Sequence, residues 1–411
     1  MDKQINDLLN NTLEKIRAKK DDIQRINHLA KEFSDLLKRN NIKFVFGGSF
    51  AKGTFLKNIE DIDVYLLMKK EEDLSFLKEK LSDIFDDLRI LHGSRDYFQV
   101  DFRGITFEMV PILDIKSVEE ARNSTDLSRF HVEYVKKKIK DNPKLKDEIL
   151  LFKYFLKQKN IYGAESYNKG ISGYLAEVLV IYFRGFLNTL KFFSKAKFPI
   201  NIDIDKELAK KLKEQGKLNN FFNVPDPVYK ERNLGMACSI EKISALILES
   251  KLFFKKPNFE KIDKEKELLD FYKRLNNENY LILKLEFNDK LKERYLNSDI
   301  VGSKMKKISE KVVKLLSNYY EVYYWVFNYN KKDMKGYSLI LMSKDPKIKK
   351  KIGPKVFIDN ILYFLEKNKD SVFDLERERV FSLSYEKKDI KDLLSIEEKE
   401  FFNFYFIKKF D

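Results

Sequence analysis

The stretch GGSFAKGTFLKNIEDIDVYLL, residues 47–67, combines a glycine-serine turn with an apolar strand that carries two aspartates. Side chains two residues apart on a strand point to the same face of the sheet, so Asp61 and Asp63 present two carboxylates side by side. Like charges at that separation repel each other unless a cation lies between them. Because Mg²⁺ prefers hard oxygen ligands and is commonly held by one or two carboxylates together with substrate phosphates, the pair predicts a magnesium site.

A third carboxylate and the preceding turn extend this pattern. Glu108 lies in ITFEMVPIL, residues 105–113, a strand that can pair with the aspartate strand. Three carboxylates on neighbouring strands suit two-metal nucleotidyl transfer, in which one metal activates a hydroxyl and the other steadies pyrophosphate. The two glycines let backbone N–H groups approach a phosphate closely, and Ser49 and Lys52 add a hydroxyl and a positive charge. We therefore expect Gly48, Ser49 and Lys52 to bind a triphosphate. Each motif alone is more often structural, and the conjunction carries the prediction.

The composition narrows the class of protein. The chain has 411 residues, 43% of them hydrophobic and 35% charged, which is typical of a globular protein with two or three domains. The formal net charge of +15 indicates an anionic partner, either nucleic acid or a membrane surface, although a lysine-rich solvated surface gives the same balance. Cys238 is the sole cysteine, which excludes an intramolecular disulfide and Cys-rich zinc sites and agrees with a reducing compartment.

Two segments bear on membrane association. The first twenty residues, MDKQINDLLNNTLEKIRAKK, lack the apolar core of a signal peptide. The most apolar stretch, GYLAEVLVIYFRGFL, is interrupted by Glu177 and Arg184, so we expect a buried helix rather than a membrane span. We therefore expect a cytoplasmic protein with no membrane partner.

Hydrophobic periodicity predicts three regions. In residues 1–130, an amphipathic helix leads into the strand KFVFGGS, and the strands and helix that follow predict an α/β region with a small mixed sheet. Residues 131–255 read as mostly helical, including one helix over SGYLAEVLVIYFRGFLNTL and another over LGMACSIEKISALILES. Residues 256–411 alternate strands with lysine-rich helices, an α+β pattern in which KVFIDNILYFLEKN is a helix and the aromatic strand YYEVYYWVFNY belongs to the core. The apolar positions of the first helix are Ile23, Ile26, Ala30, Phe33 and Leu37.

Several segments together resemble one family, the archaeal-type, class I CCA-adding enzymes, which are tRNA nucleotidyltransferases of the polymerase-beta-type superfamily. Residues 47–67 are similar to the catalytic loop and strand of that family. The similarity touches the whole chain, is strongest over residues 44–240 and is weaker beyond. The other segments that carry it are NSTDLSRFHVEYV, LLFKYFLKQKNIYGAESYNKGISGYLAEVLVI, VPDPVYKERNLG, KKKIGPKVF and FDLERERVF.

The resemblance implies an architecture and an activity. It implies a nucleotidyltransferase catalytic head over residues 1–130, a helical nucleotide-binding neck over 131–255, and an α+β body and tail over 256–411 that bind the acceptor and T arms of tRNA. The activity is template-independent addition of C, C and A to the 3′ end of tRNA from CTP and ATP with Mg²⁺. A homodimer is one of the assemblies that we expect for this protein.

The resemblance also implies site residues by position. Asp61, Asp63 and Glu108 correspond to the metal ligands, and Ser49 and Lys52 to triphosphate contacts. The family more usually has Asp where this chain has Glu108, and the longer arm puts the placement of one metal in question. The family often has Arg where this chain has Lys52, which replaces a bidentate fork by a point charge.

Five further residues are implied in the neck. His131, Lys153 and Tyr162 correspond to residues that bind the sugar and phosphates of the incoming nucleotide, and Asp226 and Arg232 lie near the base. Four of them also have an ordinary interpretation: His131 as a satisfied structural histidine, Lys153 as a lysine reaching out of a packed face, Tyr162 as a packing tyrosine and Arg232 as a solvated arginine.

Two alternatives stay open at this stage. The chain can be another transferase of the superfamily, such as a poly(A) polymerase or an oligoadenylate or cyclic-dinucleotide synthase. It can also be an RNA-binding protein that kept the fold without the activity. The elements VPDPVYKERN and GPKVF speak against the first alternative, and the intact Asp61 and Asp63 against the second.

Overall fold

The chain divides after Ile262 in the computed structural model, giving one unit over Met1–Ile262 and another over Asp263–Asp411. The structure describes residues 2–407 except 58, 60, 71–72, 92–94, 205, 219–220, 276–277, 356–359, 369–371, 377–378, 386–387 and 395–396. Among these residues, no helix combines the length and apolarity needed to cross a bilayer.

The amino-terminal unit begins with helices and a mixed sheet. In the described residues the sheet order is β1-β2-β5-β4-β3, in which β2 and β5 are parallel and the other neighbours are antiparallel. The parallel pair is the predicted partnership of the aspartate strand with the Glu108 strand, and it is confirmed. The elements are α1 (Asp2–Ile16), α2 (Lys20–Arg39), β1 (Phe44–Phe46), α3 (Gly48–Lys52), β2 (Asp61–Met68), α4 (Asp73–Ile84), β3 (Arg89–Leu91), β4 (Tyr97–Phe102) and β5 (Ile105–Leu113).

Helix α2 covers this sheet through the apolar stripe that the sequence indicated. Phe33 is fully buried and stacks on Phe107 of β5, with ring centroids 3.9 Å apart. The other predicted positions are buried except Ile23, which is 36% exposed and lies outside the core. The stripe therefore begins one turn later than predicted, and it anchors the strand that carries Glu108.

The rest of this unit is mostly helical, as predicted. The predicted helix over residues 172–190 is in fact two helices, because Arg184 and Gly185 have positive φ angles of 59° and 144°. The second angle is easily adopted only by glycine. A Glu148 carboxylate oxygen then accepts from the Phe186 N–H at 2.7 Å and caps the new helix. The elements are α5 (Ser128–Asp141), α6 (Leu145–Gln158), α7 (Gly173–Phe183), α8 (Phe186–Lys195), β6 (Ile200–Asn201), α9 (Lys206–Glu214), β7 (Phe222–Asn223) and α10 (Ile240–Lys255).

The helix predicted over residues 234–250 also starts later than expected. Leu234–Ala237 form a short 3₁₀ turn, and α10 begins at Ile240. Ser239 has extended backbone angles and its hydroxyl accepts from the Lys242 N–H, which is the usual geometry of a helix N-cap.

The carboxyl-terminal unit is α+β, as predicted. Its larger sheet has the antiparallel order β14-β8-β10-β9, with α13 packed on one face and α11 on the other. A smaller sheet of order β11-β13-β12 is inserted between β10 and β14. The elements are α11 (Lys264–Leu275), β8 (Tyr280–Phe287), α12 (Lys290–Tyr295), α13 (Ser298–Leu316), β9 (Tyr320–Asn330), β10 (Lys335–Pro346), β11 (Ile348–Lys355), α14 (Ile361–Lys367), β12 (Val372–Glu376), β13 (Arg379–Tyr385), α15 (Ile390–Leu393) and β14 (Phe402–Ile407).

Two predictions for this unit need correction. The aromatic strand β9 is only partly core, because Tyr323 and Tyr324 are 54% and 44% exposed. It lies at the edge of the sheet, so its partner strand covers one side only. The predicted helix over residues 355–368 is shorter, since Lys355 ends a strand and α14 starts at Ile361. Residues 356–359 of that prediction lie outside the described residues.

Candidate active site

The three predicted carboxylates lie together at one end of the β2–β5 pair. Asp63 is directly opposite Glu108 in the parallel register, and Asp61 is two residues away on the same face. One carboxylate oxygen from each side chain lies within 4.8 Å of the others. Gln99 of the next strand donates from Nε2 to Glu108 Oε1 at 3.0 Å and fixes the longer glutamate arm. A donor set made only of carboxylate oxygens fits a hard divalent cation.

The electrostatics of this cluster agree with a cation site. Burial, followed by the charges of Glu108 and Asp61, raises the pKa of Asp63 to about 7, and the nearby Lys52 only partly offsets the rise. Asp63 therefore holds its proton more readily than an ordinary aspartate, and a divalent cation would relieve the same repulsion.

The glycine turn is shaped by the strand beside it. The Gly47 N–H donates to the Asp63 carbonyl at 2.8 Å, and the Gly48 N–H donates to the Tyr65 hydroxyl at 3.2 Å. A Cβ on Gly48, whose φ is +53°, would lie 1.6 Å from Asp63 Oδ2. Only glycine lets the backbone approach the carboxylates so closely. Ser49 follows as a partly buried residue of α3.

The predicted phosphate-binding lysines share one acceptor. Lys52 of α3 donates to Glu177 Oε2 at 2.6 Å, and Lys153 of α6 donates to Glu177 Oε1 at 2.7 Å. Thr54 joins them, since its hydroxyl donates to Glu177 Oε1 at 2.6 Å and accepts from Lys153 at 3.1 Å. All four side chains are buried. Lys153 therefore does not reach out to solvent from a packed face.

Charge pairing keeps Glu177 ionised. Burial alone would raise the pKa of its carboxyl, but the charges of Lys153 and Lys52 outweigh burial and lower it to about 2. Burial lowers the pKa of Lys153, and the Glu177 charge opposes that shift. A buried carboxylate between two ammonium groups is a stable arrangement only while all three are present.

The predicted base-contacting residues form a second cluster. His131 Nε2 lies 2.8 Å from Asp226 Oδ2, and Arg232 donates to the same oxygen at 3.2 Å. Tyr174 stacks on the His131 ring at a centroid distance of 4.1 Å, and its hydroxyl donates to Asp226 Oδ1 at 3.0 Å. Asp226 is fully buried, whereas the Arg232 side chain is 35% exposed. The cluster therefore orients a guanidinium that still faces solvent.

The pKa shifts in this cluster follow from burial and pairing. Burial opposes ionisation of Asp226, but the hydrogen bond and charge of His131 outweigh it and hold its pKa below the usual range. Burial lowers the pKa of His131 despite the opposing Asp226 charge. The Lys52 ammonium lies 5.7 Å from the centre of the Tyr174 ring, so Tyr174 joins this cluster to the lysine pair.

Tyr162 lies beside the amino-terminal end of α7. A Cβ on Gly173 would be 2.7 Å from the Tyr162 hydroxyl and 4.0 Å from Lys153 Nζ. Burial, followed by the charge of Glu177, raises the pKa of Tyr162, so its hydroxyl stays protonated and can donate. The structure thus brings the Tyr162 hydroxyl near Lys153.

The chain is similar to known proteins along most of its length. Residues 26–149 match the family model described as "Nucleotidyltransferase domain", and residues 147–262 match "tRNA nucleotidyltransferase, second domain". The CCA-adding enzyme of Nanoarchaeum equitans is 33% identical over 382 residues, covering 90% of this chain and 91% of the relative. The chain belongs to the CCA-adding enzyme family. The CCA-adding enzyme of Sulfurisphaera tokodaii is 29% identical and covers 93% of this chain and 89% of the relative.

Solved structures agree with a nucleotidyltransferase fold. A Cid1 poly(U) polymerase bound to MgATP has a TM-score of 0.52 at 14% identity, covering 64% of this chain and all of that one. At this identity the likeness concerns the fold alone. In this chain, the carboxylate cluster lies within the residues that match the first family model, whereas Lys153 and Glu177 lie within those that match the second.

Sequence reasoning missed three residues that contact the predicted ones in this candidate site. Glu177 was noticed only as an interruption of an apolar stretch, although a charged residue there is itself a signal of a buried partner. Tyr174 and Gln99 carry no such signal, because their roles depend on contacts with residues distant in the sequence.

A buried ion pair connects two segments that carry site residues. Arg95 donates to Asp126 at 2.6 Å, and the side chains are 7% and 0% exposed. Asp126 also accepts from the backbone N–H of Leu113, at the end of β5, and of Arg122. Asp126 therefore links the Glu108 strand to the segment that leads into α5 and His131.

Proposed function

We propose that this chain adds C, C and A to the 3′ end of tRNA, using CTP and ATP without a nucleic-acid template and releasing pyrophosphate. The observation that carries the proposal is the cluster of Asp61, Asp63 and Glu108 carboxylates beside the Gly48 turn, in a chain of the CCA-adding enzyme family. Those carboxylates and the turn lie on adjoining elements, where a triphosphate and a divalent cation can be held together.

The cofactor that we assign is Mg²⁺, held by Asp61, Asp63 and Glu108. When bound there, divalent ions supply activation of the attacking hydroxyl and stabilisation of the leaving pyrophosphate. In the reaction, the 3′ hydroxyl of tRNA loses its proton to water, its oxygen forms a bond to the α-phosphorus in line, and the bond from that phosphorus to the bridging oxygen of pyrophosphate breaks. The carboxylates would hold the attacking oxygen and the α-phosphorus in that line.

The basic side chains bind the phosphates that leave. Ser49 contacts the triphosphate at the turn, where the Gly48 N–H donates to the Tyr65 hydroxyl and keeps the turn beside Asp63. Lys52 and Lys153 neutralise the charge that develops on pyrophosphate. Tyr162 donates its hydroxyl to the same region. Because these groups are held before the nucleotide arrives, little reorganisation is needed at the moment of transfer.

The second cluster, which contains His131, Asp226 and Arg232, selects the base. His131 contacts the sugar, and Arg232, held by Asp226, offers several donors in a fixed plane that can serve the acceptor atoms of either cytosine or adenine. With no template, the growing 3′ end and Arg232 together define the shape into which the next base fits. Asp226 acts by orienting Arg232.

The carboxyl-terminal region of the chain binds the sugar-phosphate backbone of tRNA. We assign residues 1–130 to the catalytic head, 131–255 to the neck and 256–411 to the body and tail. Lysines of the last region contact phosphates of the acceptor and T arms without reading sequence, as a substrate set that includes every tRNA requires. Action on maturing or damaged tRNA in the cytoplasm, as a monomer or a homodimer, is part of the same proposal.

The test is incorporation of labelled CTP and ATP with Mg²⁺ into three tRNA transcripts, which end at the discriminator base, after one C and after two C residues. We expect ordered addition that stops at the terminal A. Asp61→Asn should abolish it, whereas Asp101→Asn, on the exposed part of neighbouring β4, should not.

Other products would overturn the proposal. Long A tails, or nucleotide products formed without tRNA, would place the chain with a different transferase. Binding of tRNA without any incorporation would leave an RNA-binding protein with an inactive site.

A further inference from the structure

One buried carboxylate connects the two halves of the proposed nucleotide site. Glu177 is fully buried in α7, a helix whose other buried residues are apolar. It is paired with Lys52, 125 positions away, and with Lys153, 24 positions away. Lys52 belongs to the first matched domain, whereas Lys153 and Glu177 belong to the second. The pairing therefore arises from the fold and not from local sequence.

The oxygens of Glu177 are fully used. Oε1 accepts from Lys153 and from the Thr54 hydroxyl, and Oε2 accepts from Lys52, all at 2.6–2.7 Å. Two ammonium groups held this close to each other repel, so their positions depend on the negative charge between them. Lys153 is further fixed by a hydrogen bond to the Thr54 carbonyl at 3.2 Å.

We propose that Glu177 is a positioning residue that holds the Lys52 and Lys153 ammonium groups at the β- and γ-phosphates of the incoming nucleotide and at the pyrophosphate product. This inference rests on the proposed function, which places both lysines at the triphosphate. Glu177 itself touches neither substrate nor metal in this assignment. It sets affinity for the phosphates by fixing where two positive charges lie.

The proposal predicts selective weakening of phosphate binding. In Glu177→Gln, one amide oxygen replaces two charged acceptor atoms, and the amide N–H₂ group faces an ammonium instead of accepting from it. Lys52 and Lys153 then separate or lose a proton. A hydrogen bond to a charged group is worth enough that we expect roughly tenfold to hundredfold weaker binding of pyrophosphate and CTP. CMP, which lacks the β- and γ-phosphates, should bind within about twofold of the unaltered chain, because its own contacts do not involve the two lysines.

The experiment is calorimetric titration of inorganic pyrophosphate, CTP and CMP, with Mg²⁺, into the unaltered chain, Glu177→Gln and Glu177→Asp. The aspartate keeps the charge but shortens the reach, so it should give an intermediate loss for pyrophosphate and none for CMP. It also serves if the glutamine variant fails to fold. Equal losses for pyrophosphate and CMP in either variant would show a general structural role and overturn the proposal.

A variant cycle tests whether Glu177 acts through the lysines. The neutral triple variant Lys52→Gln, Lys153→Gln, Glu177→Gln leaves no uncompensated buried charge and should fold. In the Lys52→Gln, Lys153→Gln background, adding Glu177→Gln should cause no further loss of pyrophosphate affinity, because the lysines through which Glu177 acts are already absent. If Glu177→Gln still lowers pyrophosphate affinity tenfold in that background, its effect does not pass through the lysines and the proposal fails.

These titrations need no tRNA. If the unaltered chain binds pyrophosphate selectively through Glu177 but adds no nucleotide to tRNA, the proposed function fails while this inference stands. If it adds CCA normally and Glu177→Gln leaves pyrophosphate binding unchanged, the inference fails alone.

Discussion

Replacing Gly48 by alanine tests the closest approach between the turn and the carboxylates. The added Cβ would lie 1.6 Å from Asp63 Oδ2, whereas real Cβ contacts essentially never fall below 3.0 Å. The carboxylate or the turn must therefore shift. The φ of +53° adds backbone strain, because alanine adopts this region less readily than glycine.

Gly48→Ala should lower both the stability of the fold and the rate of nucleotide addition. Backbone strain should lower the free energy of unfolding by about 1 kcal/mol. The displacement of Asp63 exceeds about 1 Å, and a misplacement of that size near reacting groups can lower the rate by about a hundredfold. Gly104→Ala is the matched control, since Gly104 also has a positive φ, +84°, but a Cβ there meets nothing within 4 Å.

The assay is the initial rate of CTP incorporation into a tRNA transcript that ends at the discriminator base, together with thermal unfolding of each variant. Backbone strain should destabilise both variants by about 1 kcal/mol, and Gly48→Ala should lose more stability because it adds the clash with Asp63. Activity should fall about a hundredfold for Gly48→Ala and by less than about threefold for Gly104→Ala. If Gly48→Ala and Gly104→Ala were equally active, the turn would not position Asp63 for catalysis, and the assignment of Gly48 to the site would be wrong.

Three further outcomes are expected. Glu108→Gln should lower CTP incorporation by at least about a hundredfold at the Mg²⁺ concentration that saturates the unaltered chain and should raise the Mg²⁺ concentration needed, because a neutral amide is a poor ligand. Glu108→Asp should stay within about tenfold, and equal losses for the two variants would argue against metal ligation. The pKa of Asp63 is about 7 in the fold and 3.8 in an unfolded chain, so between these pH values the folded state binds one more proton than the unfolded state. The free energy of unfolding, measured in EDTA, should therefore fall as the pH rises through this window. Thermal melts should show that slope, and Asp63→Asn should remove it. Asp126→Ala leaves Arg95 buried without its carboxylate and should cost about 3–5 kcal/mol by chemical denaturation, against about 1 kcal/mol or less for Glu32→Ala in an exposed pair; comparable costs would contradict the burial argument.

Local spacing and strand pairing were sufficient to predict that the three carboxylates lie together. Strand alternation places Asp61 and Asp63 on one face, and only the pairing of two short strands is then needed to bring Glu108 beside them. The turn was predictable from its own glycines, and it contacts the strand that follows it in the chain after α3. The β2–β5 pairing joins residues 45 positions apart (108 − 63), and the alternation of apolar residues in both segments was the signal for it.

Distant contacts explain what could not be predicted. Glu177 finds Lys52 only after α3 and α7 come together, and no spacing rule links positions so far apart. The break at Arg184 and Gly185 was missed because both flanking segments are apolar enough to continue one helix. The exposure of Tyr323 was missed because periodicity does not tell an edge strand from a central one.

The carboxylate cluster and the lysine pair are sensitive to different substitutions. The carboxylates lie on one sheet, so substitutions on the neck helices should leave the spacing of Asp61 and Asp63 unchanged. The lysine pair is held by Glu177 on α7, whose position depends on packing with α6 and α8. Repacking that core, for example around Phe186, would therefore shift Lys153 relative to the metal site without touching any substrate. A loss of CTP affinity with an unaltered Mg²⁺ dependence would identify such variants, since a metal ligand and a phosphate-binding lysine fail in distinguishable ways.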